Sequence, residues 1–208
     1  MTDITAQGLK EFLEQLGRCY RYPGRIYLAG GSSLILVAAK VSTLDIDLQF
    51  EAPAEHQAAL IRCLREIGRQ RKVPVEQASP DQFIPLPQGY RDRHQFIERY
   101  GSLDVFHFDF YSVALSKLHR GNEKDFADVI QMVRTGLIEL SQLRDNFQEI
   151  LPQLELFRIG ADPQDFERNF ALFERRLGQQ QPDIQKQLVG KRYGRTDTPK
   201  DLTNHLWL

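Results

Sequence analysis

Between Thr43 and Phe50 the chain alternates without a break, with Leu44, Ile46, Leu48 and Phe50 on one side and Asp45, Asp47 and Gln49 on the other. A period of two is the pattern of a strand with one buried face, and it sets residues two apart side by side. Asp45 and Asp47 therefore project together. Two adjacent carboxylates repel unless a cation lies between them. The stretch just upstream completes a unit. Ile26–Ala29 reads as a first strand, Gly30 and Gly31 break it, Ser32 is placed to cap a helix, and Leu34–Lys40 fits about two helical turns. The predicted order is strand, glycine turn, short helix, acidic strand.

That order has chemical meaning. Free amides at Gly30, Gly31, Ser32 and Ser33, where the helix begins, suit a phosphate, and glycine lets it approach closely. A hard divalent ion, Mg2+ or Mn2+, suits Asp45 and Asp47 and leaves room for substrate phosphates. A phosphate cradle followed by a metal-binding acid pair is equipment for phosphoryl or nucleotidyl transfer.

The rest of the 208 residues supply a frame. Leu9–Tyr20 has the apolar stripe of a helix through Leu9, Phe12, Leu13 and Leu16. A second helix opens at Ala52-Pro53 and runs to about Gly68, burying Leu60, Ile61, Leu64 and Ile67, with Arg62, Arg65, Arg69, Arg71 and Lys72 on a solvated face. Val73–Glu76 reads as a short edge strand, because Pro74 excludes a central position. Ser79–Gly89, with three prolines, is an irregular segment. Arg91 and Arg93 beyond it can serve a triphosphate or an acceptor, or pair with nearby acids.

Leu103–Tyr111 alternates as another strand. Its Asp104, Phe106, Phe108, Phe110 face is assigned to the core, and its Val105, His107, Asp109, Tyr111 face to the acidic side. Asp109 is thus the candidate third carboxylate, with Asp104 as the other choice. From Ser112 the pattern turns helical, breaks at Gly121-Asn122 and resumes near Glu123. Lys117, Arg120, Asp125 and Asp128 lie where they can pair with one another, and a lysine at 117 is placed to hold a phosphate. Ile138–Phe157 and Pro163–Leu177 carry helical spacing, and a polar tail with Lys186, Lys191, Arg192 and Arg195 follows.

The pair Ala29-Gly30-Gly31-Ser32 and Asp45-Ile46-Asp47 resembles the nucleotidyltransferase superfamily of the DNA polymerase beta type. Downstream, Asp109, Lys117, Arg120 and Lys124-Asp125-Phe126-Ala127-Asp128 are similar to the signature of AbiEii-type nucleotidyltransferases, toxin enzymes of abortive-infection and toxin–antitoxin systems. Lys40 and Thr43 fill that family's basic and threonine positions ahead of Asp-x-Asp. His119 departs from it, standing where a small residue is usual, and the chain is shorter than many such toxins. The resemblance covers roughly residues 25 to 135. It implies transfer of a nucleoside monophosphate from a nucleoside triphosphate to an acceptor hydroxyl on a tRNA or a protein. It gives Lys117 and Asp125 the task of positioning nucleotide and acceptor, puts Lys40 with the phosphate-binding group, and adds an antitoxin as a partner. A catalytically silent nucleotide-binding or toxin–antitoxin partner protein of the same fold is the alternative, and a metal-dependent phosphohydrolase a third.

The expected fold is α/β (α+β): a minimal nucleotidyltransferase core at 1–136 with a small mixed sheet flanked by helices, then a helical region and tail at 137–208. A formal net charge of −1 excludes a chain-wide electrostatic grip on nucleic acid. The five histidines lack zinc-ligand spacing. With no apolar run of membrane length, no signal pattern and no Cys-x-x-Cys, the chain is expected to be cytoplasmic, off the membrane, with Cys19 and Cys63 as reduced thiols.

Overall fold

The computed structural model describes residues 3–157 and 162–179. The polar tail with Lys186, Lys191, Arg192 and Arg195 lies outside them. In chain order the elements are α1 (Ala6–Cys19), β1 (Gly24–Leu28), α2 (Gly30–Leu36), β2 (Ile46–Glu51), α3 (Ala54–Arg71) and β3 (Val75–Gln77). After two 3-10 turns come β4 (Gln95–Tyr100), β5 (Leu103–His107), α4 (Phe110–Arg120), α5 (Glu123–Arg134), α6 (Leu140–Ile150), α7 (Leu154–Phe157) and α8 (Pro163–Gln179).

Among the described residues, five strands form one mixed sheet in the order β3-β2-β1-β5-β4. β1 runs antiparallel to β2 and parallel to β5, while β3 runs parallel to β2. Alternation decides its two faces. Ile26 and Leu28 of β1, Ile46 and Leu48 of β2, and Leu103 and Val105 of β5 bury against Leu9, Phe12, Leu13 and Leu16 of α1 and Leu60, Leu64 and Ile67 of α3. Tyr27 points the other way, into a small cluster with Phe108 and Val113. A separate core joins α4, α5, α6 and α8 through Leu118, Phe126, Val129, Phe147, Phe166 and Phe173. The helix α2 sits where the two cores meet, with Leu34 in one and Ile35 in the other. The mixed sheet flanked by helices, followed by further helices, is the α/β architecture the sequence predicts.

Local details differ from expectation. The acidic strand begins at Ile46, not Thr43, because Thr43 bridges Ile4 of the N-terminal segment and the ladder to β3 starts only where Ile46 N–H donates to Pro74 O. Leu44 is consequently 46% exposed and off the core face. The second long strand ends at His107, and its core side is the Leu103/Val105 side rather than the phenylalanine side. Asp109 stops it: its carboxylate accepts from Tyr111 N–H and Ser112 N–H and caps α4. Ser32 does not cap α2, which starts at Gly30 behind Ala29 and ends at Leu36, ahead of the left-handed Ala38. The cysteines are not free thiols. Packing of α1 beside α3 brings the Cα atoms of Cys19 and Cys63 to 5.9 Å, and they form a disulfide. Among the described residues no helix is long and apolar enough to cross a membrane.

Candidate active site

Three carboxylates meet at one edge of the sheet. Asp47 lies on β2 directly beside Glu76 of β3 in register, and Asp45 stands one residue before β2. One oxygen from each lies within 4.8 Å of the others. The turn carrying them is tied to α2 and to itself. Ser32 Oγ donates to Asp45 O at 3.2 Å and accepts from Asp47 N–H at 3.1 Å, and Thr43 Oγ1 donates to Asp45 Oδ1 at 3.2 Å.

The glycine pair serves this approach. Gly30 has a left-handed φ of 50°, and a Cβ there would collide with the Asp47 carboxylate; a Cβ on Gly31 would collide with the Thr43 hydroxyl. Gly31→Ala is therefore expected to push Thr43 away and loosen Asp45. Overpacking of this kind costs about 1–3 kcal/mol. Thermal melting and Mn2+ titration of the variant check both effects, and an unchanged melting temperature would contradict the crowding.

Burial raises the Asp47 carboxyl, the charges of Asp45 and Glu76 add to it, and Arg120 and Lys117 pull it back only in part, so that it is pushed up to about 6. Among the described residues no cationic side chain forms an ion pair with Asp45, Asp47 or Glu76. Three hard oxygen donors with uncompensated charge fit a divalent ion such as Mg2+ or Mn2+.

Opposite the acids stands a wall of cations. Lys117 is buried, with Nζ 3.2 Å from Asp125 Oδ1 and 2.8 Å from Asp128 Oδ2. Lys40 reaches Asp128 at 2.9 Å, and Arg120 grips Asp125 at 2.8 and 3.2 Å. Burial alone would raise the Asp125 carboxyl, but its bonds to Arg120 and the charges of Lys117 and Arg120 outweigh that and hold it below the ordinary range. Acids and cations line one cavity of 820 Å³, with Phe83 in the wall and the Arg120 guanidinium 5.7 Å from its ring centre.

Of the residues singled out from sequence, Gly31, Lys40, Asp45, Asp47, Lys117 and Asp125 line this cavity. Gly30 lies against Asp47. Ser32 and Ser33 are fully buried beneath it. Ser33 Oγ is 2.7 Å from His107 Nδ1, on a ring whose burial pushes its pKa down to about 4. Asp109 is elsewhere. It is wholly buried under a two-pronged bond from Arg93 and accepts from Ser112 Oγ, so its oxygens are spent on the start of α4. Asp104 pairs with Arg99 away from the cavity. The third carboxylate beside Asp45 and Asp47 is Glu76, which sequence reasoning placed in an edge strand without assigning it a role. The available signal was Pro74, which marks that strand as an edge and hence as a partner for another strand's outer side.

The family described as "Nucleotidyltransferase of unknown function (DUF6036)" matches residues 7–166. The chain belongs to this family. The match takes in the whole sheet, the three acids and the cation wall of this nucleotidyltransferase domain. It is consistent with the polymerase beta-like superfamily. No curated protein and no solved structure matches the chain.

Proposed function

We propose that this DUF6036 nucleotidyltransferase moves a nucleoside monophosphate from a nucleoside triphosphate to an acceptor hydroxyl. The observation that carries the reading is the unpaired Asp45/Asp47/Glu76 cluster facing Lys40, Lys117 and Arg120 across one cavity. Asp45, Asp47 and Glu76 would hold the divalent ion. Bound there, such an ion supplies Lewis-acid stabilisation of charge on the transferring phosphate.

The chain's own groups do the rest. Arg120 and Lys117 present positive charge to the phosphates from a fixed position, since Asp125 and Asp128 hold them. Lys40, with its side chain 28% exposed and, among the described residues, its ion pair with Asp128 alone, is the cation best able to turn toward a triphosphate. Gly31 keeps the cavity floor low. The acceptor oxygen bonds to the α-phosphorus, the α–β phosphoanhydride bond breaks, pyrophosphate leaves, and the hydroxyl proton goes to solvent.

The finer reading is an AbiEii-like enzyme of a toxin–antitoxin or phage-defence system, with a tRNA or a protein as acceptor and an antitoxin as partner. It rests on the resemblance of Lys40, Thr43, Lys117 and Lys124-Asp125-x-x-Asp128, and it is supported by Lys40, Thr43, Lys117, Asp125 and Asp128 lining the same cavity.

Incubation with each α-labelled triphosphate, Mg2+, and either total tRNA or the protein alone tests it. Label is expected on an acceptor, with pyrophosphate released. Triphosphate binding with no labelled acceptor in any combination would support the silent binding protein instead, and free phosphate alone would support a hydrolase.

A further inference from the structure

The face of the sheet that carries Asp47 does not end at the acids. Asp47, Gln49 and Glu51 alternate along β2 on one side, spaced about 6.6 Å per pair of residues. Gln49 stands beside Tyr27 of β1, and Tyr27 stands beside Phe106 of β5. The helices α1 and α3 cover the opposite face; on this one Tyr27 packs with Phe108, Val113 of α4 and Tyr90 of the 3-10 turn at Tyr90–Arg93. Between them lies a second groove of 410 Å³, its wall made by Tyr27, Tyr90 and His94.

The lining is chemically specific. The Tyr27 ring lies 4.7 Å from His94, and Tyr90 lies 5.7 Å from His94, centre to centre. Arg25 and Arg91 are exposed on the groove; Arg25 Nη1 lies 3.6 Å from Glu51 Oε2, which also accepts from Tyr27 Oη at 3.1 Å, and Arg91 Nε donates to Tyr90 Oη at 3.1 Å, so Arg91 is the cation left to meet a phosphate. Gln49 offers both an amide donor and a carbonyl acceptor, and the Glu51 and Asp81 carboxylates offer acceptors only. Planar aromatic walls, an amide edge and arginines at the opening recognise a nucleobase with its phosphate. Two arginines set against two acids do not make a track for a long phosphate chain.

We infer that this groove is the acceptor subsite and that it holds a single nucleoside 5′-phosphate, free or at the end of a strand, one step along β2 from Asp47. The assignment rests on the nucleotidyltransferase reading for its role as acceptor site, but its occupancy by a nucleotide can be measured without turnover.

The four ribonucleoside 5′-monophosphates are titrated into the full chain in EDTA, where no metal bridges phosphate to the acids. At least one is expected to bind, with equal affinity in Asp47→Asn, and about tenfold or more weaker in Tyr90→Ala. Arg91→Ala, at an exposed position, is a second variant expected to weaken binding, and thermal melting verifies that both fold. A trinucleotide ending in the preferred base is expected to bind within about threefold of the monophosphate. No binding in EDTA, binding indifferent to both variants, or a trinucleotide tenfold tighter overturns the assignment. Transfer activity whose acceptor KM is unmoved by Tyr90→Ala sinks the subsite and leaves the proposed function standing. Monophosphate binding lost in Tyr90→Ala, in a protein that never transfers label, sinks the proposed function and with it the acceptor role, and leaves the nucleotide site standing.

Discussion

Asp47→Asn is expected to cut transfer by about three orders of magnitude while making the metal-free protein more stable. The two effects have one cause. Asp47 shares its site with Asp45 and Glu76, and burial and those neighbours push its carboxyl up to about 6. Above that pH in EDTA the native state holds a carboxylate it would rather protonate. The unfolded chain ionises the same group near its ordinary 3.8. A folded pKa raised in this way gives stability that is full below about 4 and is lost as pH rises through about 6. The whole span is worth up to about 3 kcal/mol. Asparagine keeps the shape and removes the charge, so at pH 8 without metal the variant should melt several degrees higher, at about 2–4 °C per kcal/mol for a chain of this size. Mg2+ should then raise the melting temperature of the wild type and not of the variant. Activity should fall by about three orders of magnitude, the scale of a lost ion that contributes several kcal/mol to the transition state. Parallel melts across pH 4–8 in EDTA and in Mg2+, with label transfer at pH 8, test all three.

Lys117→Met should be among the most destabilising single changes in the site. Lys117 is 4% exposed and lies between two acids that are themselves buried. Methionine fills the volume and leaves Asp125 and Asp128 without their shared cation. Breaking a buried pair on one side costs about 3–5 kcal/mol. The lower end applies, because Lys40 still reaches Asp128 and Arg120 still grips Asp125. Urea melts should show a lower midpoint with the slope unchanged. Adding Asp128→Asn to Lys117→Met should recover part of the loss, since it removes one of the stranded charges. A double variant as unstable as the two single losses added together would contradict the network.

How much of this was legible in the sequence depends on how local the cause was. Asp45 and Asp47 were readable because alternation is a property of one short segment. Lys117, Arg120, Asp125 and Asp128 were readable as partners because two consecutive helices set them close together. Glu76 was not, because it meets Asp47 only through a parallel pairing of β2 and β3 across the intervening α3. Asp109 misled for a different reason. The run Phe108-Asp109-Phe110-Tyr111 continues the alternation of β5, yet the aspartate carboxylate captures the amides of Tyr111 and Ser112 and starts a helix. The phenylalanine face of β5 was assigned to the core on hydrophobicity, whereas Phe106 packs against Phe96 and Tyr27 on the side that α1 and α3 leave bare. The glycine pair was read as room for a phosphate, whereas the groups packed against it are the protein's own Asp47 and Thr43. The disulfide, too, is a tertiary fact: only the packing of α1 on α3 sets Cys19 beside Cys63.

Asp45, Asp47 and Glu76 are expected to share one ion, and Mn2+ binding followed by electron paramagnetic resonance measures that directly. The wild type is expected to bind Mn2+ with Mg2+ as competitor, and Asp47→Asn and Glu76→Gln each to weaken it by tenfold or more. Wild-type affinity in both variants, or no bound Mn2+ in the wild type, would contradict it.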